Sequence, residues 1–187
     1  MRVAVLALTL VVVASGRAAA ADNDGSVSPF ETRPTAIFAE LGLGTPVGLV
    51  GVEVEEMILP NLSLSAGAGW GAANAPQGAA MLRWLGGSHW SKFTIGAGIS
   101  GGQYKWTDLS CFYDTCPTKS GTVAWGNLEI GYELRSSSGF SLRYFGGYGH
   151  IIAGNLVCDP PATSCGPYYQ NDGYNLIYFG AAVGYSF

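Results

Sequence analysis

Residues 62–70 read LSLSAGAGW, and residues 177–187 read IYFGAAVGYSF. In both segments larger apolar side chains occupy alternate positions, and most of the positions between them hold Ser, Gly or Ala. A period of two residues is typical of a β-strand whose two faces meet different surroundings. These segments predict an all-β fold.

The same alternation recurs along most of the chain and predicts eight strands. We place them at about 34–43, 47–58, 62–72, 79–86, 92–105, 121–135, 140–153 and 173–187. Most approach or exceed the length of about 9 to 11 residues that a tilted strand needs to cross a bilayer. Strands of soluble proteins are usually shorter, at about 5 or 6 residues.

The links between these strands alternate in length. Short links are predicted at 59–61, 87–91 and 136–139, whereas the links at about 106–120 and 154–172 are long. Outer-membrane barrels have short periplasmic turns and longer extracellular loops. Because the strand number is even, we expect both termini on the periplasmic side and the long loops outside the cell.

The two faces of the predicted strands differ in polarity. The outward face carries apolar and aromatic residues, namely Ile37, Leu41, Val50, Val52, Val54, Leu62, Leu64, Leu82, Trp84, Phe93, Ile95, Leu128, Ile130, Tyr132, Leu142 and Tyr144. The inward face carries Glu40, Glu53, Glu55, Arg83, Glu129, Glu133 and Arg143 among Gly, Ser and Thr. A soluble barrel would place its charges outside, so this pattern predicts a closed antiparallel eight-stranded transmembrane β-barrel, an up-and-down meander.

Eight strands enclose a lumen that side chains fill, so we expect no open pore. We expect Arg83 and Arg143 to join some of the five glutamates in an ion-pair network inside the barrel. Because five acids cannot all pair with two bases, water-filled pockets with weakly coupled charges remain the alternative.

The N-terminal segment reads as a secretory signal peptide. Arg2 is followed by a charge-free apolar run over 3–15 and by small residues at 18–21, a combination that favours cleavage after Ala21, with Ala20 as the near alternative. We therefore expect a signal peptide at 1–21, a flexible N-terminal extension at 22–33 and an outer-membrane barrel at 34–187.

Composition excludes several classes of protein. The chain has 187 residues with a net charge of -4, 28 Gly and only 12% charged residues. It is therefore neither a basic nucleic-acid-binding protein nor a disordered acidic chain. His89 and His150 form no zinc-ligand motif with the cysteines, and Gly42-Leu43-Gly44 lacks the context of a nucleotide loop, so we expect no metal or other cofactor.

With these features the chain resembles the small eight-stranded outer-membrane barrels of the OmpA and OmpX type, over about 34–187. In such proteins a C-terminal Phe with aromatic or apolar residues at alternate preceding positions is the signal read by the barrel-assembly machinery. Val183, Tyr185 and Phe187 match that pattern. The resemblance implies a protein embedded in outer-membrane lipid, and we expect it to be a monomer.

The long loops mix aromatic and acidic residues, such as Trp106, Tyr113 and Asp114. Such a mixture suits contact with an extracellular protein or surface ligand. We expect a structural or surface-interaction role and no enzymatic activity. The alternative is a lipid-modifying enzyme, either lipid A deacylase-like or acyltransferase-like. The deacylase family uses a His-x-Ser pair, and here Ile152 stands where His150 would need the serine.

The four cysteines lie in the two long loops, as the pairs Cys111 and Cys116, and Cys158 and Cys165. An even number of cysteines in an exported protein predicts disulfides. Cysteines close in sequence meet more often, which favours one bond within each loop, although two bonds between the loops remain an alternative.

Non-reducing peptide mapping should find residues 111 and 116 in one disulfide and residues 158 and 165 in another. Each bond closes a short loop, so its reduction should change barrel stability little. A peptide pair linking residue 111 or 116 to residue 158 or 165 would contradict this assignment.

Overall fold

The computed structural model describes residues 27–107, 118–159 and 175–187. One helical turn, α1, precedes eight strands. The elements are α1 (Pro29–Thr32), β1 (Thr35–Thr45), β2 (Gly48–Leu59), β3 (Leu62–Trp70), β4 (Pro76–Gly87), β5 (Ser91–Thr107), β6 (Thr118–Arg135), β7 (Phe140–Asp159) and β8 (Asn175–Ser186).

The strands form one closed antiparallel barrel in sequence order. Each strand pairs with the next, and β8 returns to pair with β1 from Ala36↔Ser186 to Leu43↔Phe179. Phe187 extends this seam, because its backbone N–H donates to the Thr35 carbonyl at 2.9 Å. The predicted fold, an all-β closed eight-stranded up-and-down barrel, is confirmed.

The strands β4, β5, β6 and β7 are each at least three residues longer than predicted. β6 begins at Thr118 rather than near 121, and β7 continues to Asp159 rather than ending near 153. The β6–β7 ladder passes through an irregularity at Ala124/Trp125 and continues to Thr118↔Asp159. Gly154 has a φ of +148°, which a residue with a side chain rarely adopts. This glycine therefore allows β7 to continue through the irregularity instead of ending there.

The extra length projects beyond the barrel on one side. The β4–β5 ladder stops at Gln77↔Gly102, and the β7–β8 ladder stops at His150↔Asn175. Past these points β5, β6 and β7 continue as a three-stranded sheet, which we call the β5–β7 extension: residues 103–107, 118–125 and 151–159.

The outward face of the barrel is apolar. Ile37, Leu41, Val50, Val52, Leu64, Leu82, Trp84, Phe93, Ile95, Leu128, Ile130, Tyr132 and Tyr144 are exposed, whereas Val54, Leu62 and Leu142 are partly exposed. The inward face holds buried charges together with Phe38, Met81, Leu85, Phe145 and Tyr178.

The first turn at the end opposite the termini folds into the lumen. Thr45, Pro46 and Val47 are buried, and the Gln77 side chain donates from Nε2 to the carbonyls of Thr45 at 3.1 Å and Pro46 at 3.0 Å. A Cβ on Gly67 would lie 2.7 Å from Val47, so the inward turn depends on the missing side chain there.

The other end of the lumen is covered by residues that were predicted to be a flexible extension. Within 27–33, α1 is capped by Ser28, whose Oγ accepts from the Phe30 N–H at 3.3 Å, and Pro29 and Phe30 are buried. This part of the predicted extension is therefore structured, because Phe30 gains a place in the lumen. Over the described ranges, α1 included, the chain has no helix long and apolar enough to cross a membrane.

Candidate functional site

A cluster of charged side chains fills the middle of the lumen. Glu53 and Glu55 come from β2, Arg83 from β4, Glu129 and Glu133 from β6, and Arg143 from β7; all six are buried. The two-residue period of each strand aims these side chains inward. Ion pairs join them into what we call the lumen network.

Arg83 connects three strands through the guanidinium group. Its Nε donates to Glu129 Oε1 at 2.7 Å, and Nη1 and Nη2 donate to the two carboxylate oxygens of Glu53 at 2.9 and 3.1 Å. Nη1 also donates to Ser65 Oγ at 2.6 Å. The paired contact with Glu53 has the two-pronged geometry that makes arginine–carboxylate bonds strong and directional.

Arg143 occupies the centre of the network. Its Nε donates to Glu133 Oε2 at 2.8 Å, Nη1 donates to Glu53 Oε1 at 2.5 Å, and Nη2 donates to Glu55 Oε2. The Phe38 ring covers the guanidinium, with Cζ 4.2 Å from the ring centroid. One side chain from β7 thus contacts carboxylates from β2 and β6, on opposite sides of the barrel.

Arg135 belongs to the network and was missing from the sequence prediction. Its Nε donates to Glu133 Oε1 at 2.7 Å, Nη2 donates to Glu55 Oε1 at 2.5 Å, and Nη1 donates to the Arg33 carbonyl at 3.0 Å. Arg135 is the last residue of β6, next to the Ser-rich turn. Its spacing of two from Glu133 is the signal that could have found it.

Glu40 lies in the same lumen but takes part in none of these ion pairs. It is buried, and its Oε1 has no hydrogen-bond partner among the described residues; the same is true of Glu129 Oε2. Three guanidinium groups therefore face five carboxylates inside the barrel. The structure brings six of the seven predicted interior charges into the network and leaves Glu40 beside it.

Phe30 closes the lumen at the end where the termini lie. Its ring is 1% exposed and stands between two cations, 4.7 Å from Lys92 Nζ and 4.6 Å from Arg135 Cζ. The Ser28 hydroxyl donates to the His89 carbonyl at 2.9 Å and ties this segment to a turn. Cation–π contacts at a desolvated site contribute up to about 2 kcal/mol.

Together these groups fill the lumen at three heights. Val47 lies at the upper end, the lumen network in the middle and Phe30 at the lower end. Phe145 and Tyr178 pack edge to face between the network and the upper end, with ring centroids 6.5 Å apart. Buried side chains among the described residues thus occupy the lumen at each of these heights.

The outer wall carries a small polar group at its upper end. Asn175 Oδ1 accepts hydrogen bonds from the Tyr148 hydroxyl and, at 2.9 Å, from His150 Nδ1. Ile152, at the position where a His-x-Ser pair would place its nucleophile, is exposed. Among the described residues, no three His, Cys, Asp or Glu side chains are grouped so that they could hold a metal ion.

The predicted assembly signal lies at the β1–β8 seam, and most of the predicted disulfide cysteines lie outside the described residues. Val183, Tyr185 and Phe187 all point outward and are exposed on or beside β8. Cys111, Cys116 and Cys165 lie outside the described residues. Cys158 lies in β7 and pairs with Lys119 in the β6–β7 ladder.

The chain matches no protein-family profile and no curated protein. Its fold is similar to that of the N-terminal β-barrel domain of Pseudomonas aeruginosa OprF, with 10% identity and a TM-score of 0.48 over 81% of this chain and 96% of that one. Acinetobacter baumannii CarO has 12% identity and a TM-score of 0.41 over 82% and 98%, and CarO2 of the same organism has 13% and 0.40 over 83% and 99%.

The same substitution at two lumen glutamates should have opposite consequences. Glu133→Gln should lower the free energy of unfolding by about 3 kcal/mol or more, because it removes the carboxylate that accepts from the Nε atoms of both Arg135 and Arg143. Glu40→Gln should leave stability unchanged or raise it, because it removes a buried charge that no cation pairs. Urea unfolding in matched detergent micelles measures both, and equal losses would contradict the network.

Proposed function

We propose that this protein is a bacterial outer-membrane β-barrel with a sealed lumen and a structural or surface-interaction role. The observation that carries the proposal is its reversed polarity. Large apolar side chains cover the outside of the barrel, whereas Glu and Arg side chains are buried inside it. That arrangement is stable when the solvent around the wall is hydrocarbon rather than water.

The outward apolar surface is too extensive for a soluble monomer. Leu128, Ile130, Tyr144, Phe179 and Ile177 each expose at least half of their surface, and Ile177 exposes 80%. Contiguous apolar patches of more than a few hundred Å² are rare on soluble monomers and mark contact with proteins or membranes. A belt around a closed barrel is the shape that a bilayer fits.

Closure of the barrel also supports a location in a lipid bilayer. An open sheet edge in hydrocarbon leaves backbone N–H and C=O groups unpaired, at a cost of several kcal/mol each. The β1–β8 seam pairs the first strand with the last along eight positions and removes that edge. The filled lumen argues for a barrel that holds its shape rather than one that conducts solutes.

In this proposal the termini and the short turns face the periplasm, and the β5–β7 extension faces the cell exterior. Val183, Tyr185 and Phe187 would then present the outward residues of the last strand to the barrel-assembly machinery and to outer-membrane lipid. The extension offers a contact surface for an extracellular protein or surface ligand, with Ile152 and Val157 exposed on it. We propose no enzymatic role, since Ile152 replaces the serine of the deacylase pattern.

Membrane fractionation and gel mobility test the proposal directly. The protein should sediment with outer membranes and should run at a different apparent mass on SDS gels before and after boiling, because a closed hydrogen-bonded cylinder resists detergent. Recovery in the soluble periplasmic fraction would overturn the proposal.

Two arginine substitutions on the outward face test whether the wall contacts lipid or water. Ile130→Arg should lower the free energy of unfolding from lipid by about 2–4 kcal/mol, the cost of a cation near the bilayer midplane. Thr122→Arg, on the outward face of the β5–β7 extension, should change it by less than about 0.5 kcal/mol. Refolding titrations in lipid vesicles give both values, and a harmless Ile130→Arg would argue against a membrane at that height.

A further inference from the structure

Tyr148, His150 and Asn175 form a polar group on an otherwise apolar wall, and the lumen network does not involve it. All three side chains are exposed on the outward face, where His150 of β7 stands opposite Asn175, the first residue of β8. We call them the rim group, because the β7–β8 ladder ends there.

The hydrogen bonds of the rim group fix which atoms remain available. With the Asn175 Oδ1 as the acceptor, His150 Nδ1, 2.9 Å away, is the donor of this hydrogen bond in the Nδ1–H tautomer. The Tyr148 hydroxyl donates to the same oxygen. His150 Nε2 and the Asn175 amide nitrogen are left with no hydrogen-bond partner in the described part of the chain.

The height of the rim group coincides with the expected edge of the hydrocarbon layer. His150 is ten residues beyond Phe140, where β7 begins, and a tilted strand of that length rises about 25 Å, the height of the apolar band of such barrels. Below it lie the exposed side chains of Leu128 and Ile177. Headgroups are the lipid atoms found at that height.

There is also space for a ligand beside the imidazole. The β6 residue opposite His150 is Gly126, and a Cβ added there would contact only Ile152, at 3.3 Å. The absence of a side chain at Gly126 leaves the imidazole open on the side away from Asn175.

We propose that His150 and Asn175 bind the phosphate of an anionic lipid headgroup on the outer wall of the barrel. Protonated His150 donates from Nε2, Asn175 donates from its amide nitrogen, and the two donors match two phosphate oxygens. Tyr148 and Asn175 Oδ1 hold the imidazole in place. The inference rests on the membrane location proposed above.

The charge at the rim group comes from the imidazole. The neighbouring described positions are Tyr148 and Ile152 on β7, Ala124 and Gly126 on β6, and Asn175 and Ile177 on β8. No carboxylate, lysine or arginine stands among them, so His150 is the described side chain there that can carry a positive charge.

The test uses nanodiscs of equimolar phosphatidylglycerol and phosphatidylcholine, with retained lipid counted by native mass spectrometry. Wild type should retain phosphatidylglycerol over phosphatidylcholine by about tenfold, the ratio that one charge-assisted hydrogen bond supplies.

Three variants sharpen the result. His150→Gln should abolish the preference, whereas His150→Lys should keep it, because lysine supplies a positive charge at the same position. His89→Gln, at the other histidine, lies in a turn at the opposite end of the barrel and should behave as wild type. Boiled and unboiled samples on SDS gels verify that each variant is folded.

The outcomes distinguish this inference from the proposed function. A barrel that enters nanodiscs but shows no phosphatidylglycerol preference, or keeps it in His150→Gln, overturns the rim site alone. If inorganic phosphate shifts the His150 imidazole NMR signals in neutral detergent while no lipid preference exists, the ligand is free phosphate and the lipid assignment is wrong. Failure to enter nanodiscs at all overturns the membrane location and the rim site with it.

Discussion

Pairing of the last strand with the first is the constraint on which the rest of this structure depends. Once β8 closes on β1, eight strands fix a lumen only wide enough for side chains, so every inward residue must fit against residues from the opposite wall. Charged side chains in that space have little water around them and must find partners within reach. The lumen network, the inward turn at Val47 and the ring of Phe30 are three solutions to the same shortage of space.

The network shows how costly and how cooperative such a solution is. Isolated buried charges destabilise a fold by several kcal/mol, and a buried pair offsets that cost only when its hydrogen bonds are nearly complete. Arg143 meets this requirement with three carboxylates from β2 and β6, and Arg83 does so with carboxylates from the same two strands. The guanidinium groups therefore brace the barrel across its diameter, where backbone hydrogen bonds act only along the wall.

The alternation of side chains between the two faces of a strand, here called strand parity, explains what the sequence can predict and what it cannot. Because side chains alternate with a strict period of two, position alone assigns Glu133 and Arg143 to the same face, and it also predicts the number and order of strands. Parity does not tell which carboxylate meets which guanidinium, since that depends on the register of strands far apart in the chain. The alternation also does not predict that Phe30 is buried, because Phe30 precedes the strands. Its partners Lys92 and Arg135 come from β5 and β6. Likewise, Gly154 resembles the end of a strand in sequence, and only the continuing β6–β7 ladder reveals a bulge.

The projecting strands make the barrel lopsided. On the side of β1 to β4 the described wall ends at a turn folded into the lumen and at a short turn, whereas β5 to β7 continue for five to nine further residues, or about 15–30 Å along the strands. A large molecule that approaches this end from solution thus meets a short wall on the side of β1 to β4 and a projecting sheet on the side of β5 to β7. Any encounter with this end of the protein is directional, and a partner would face different surfaces according to the side from which it arrives.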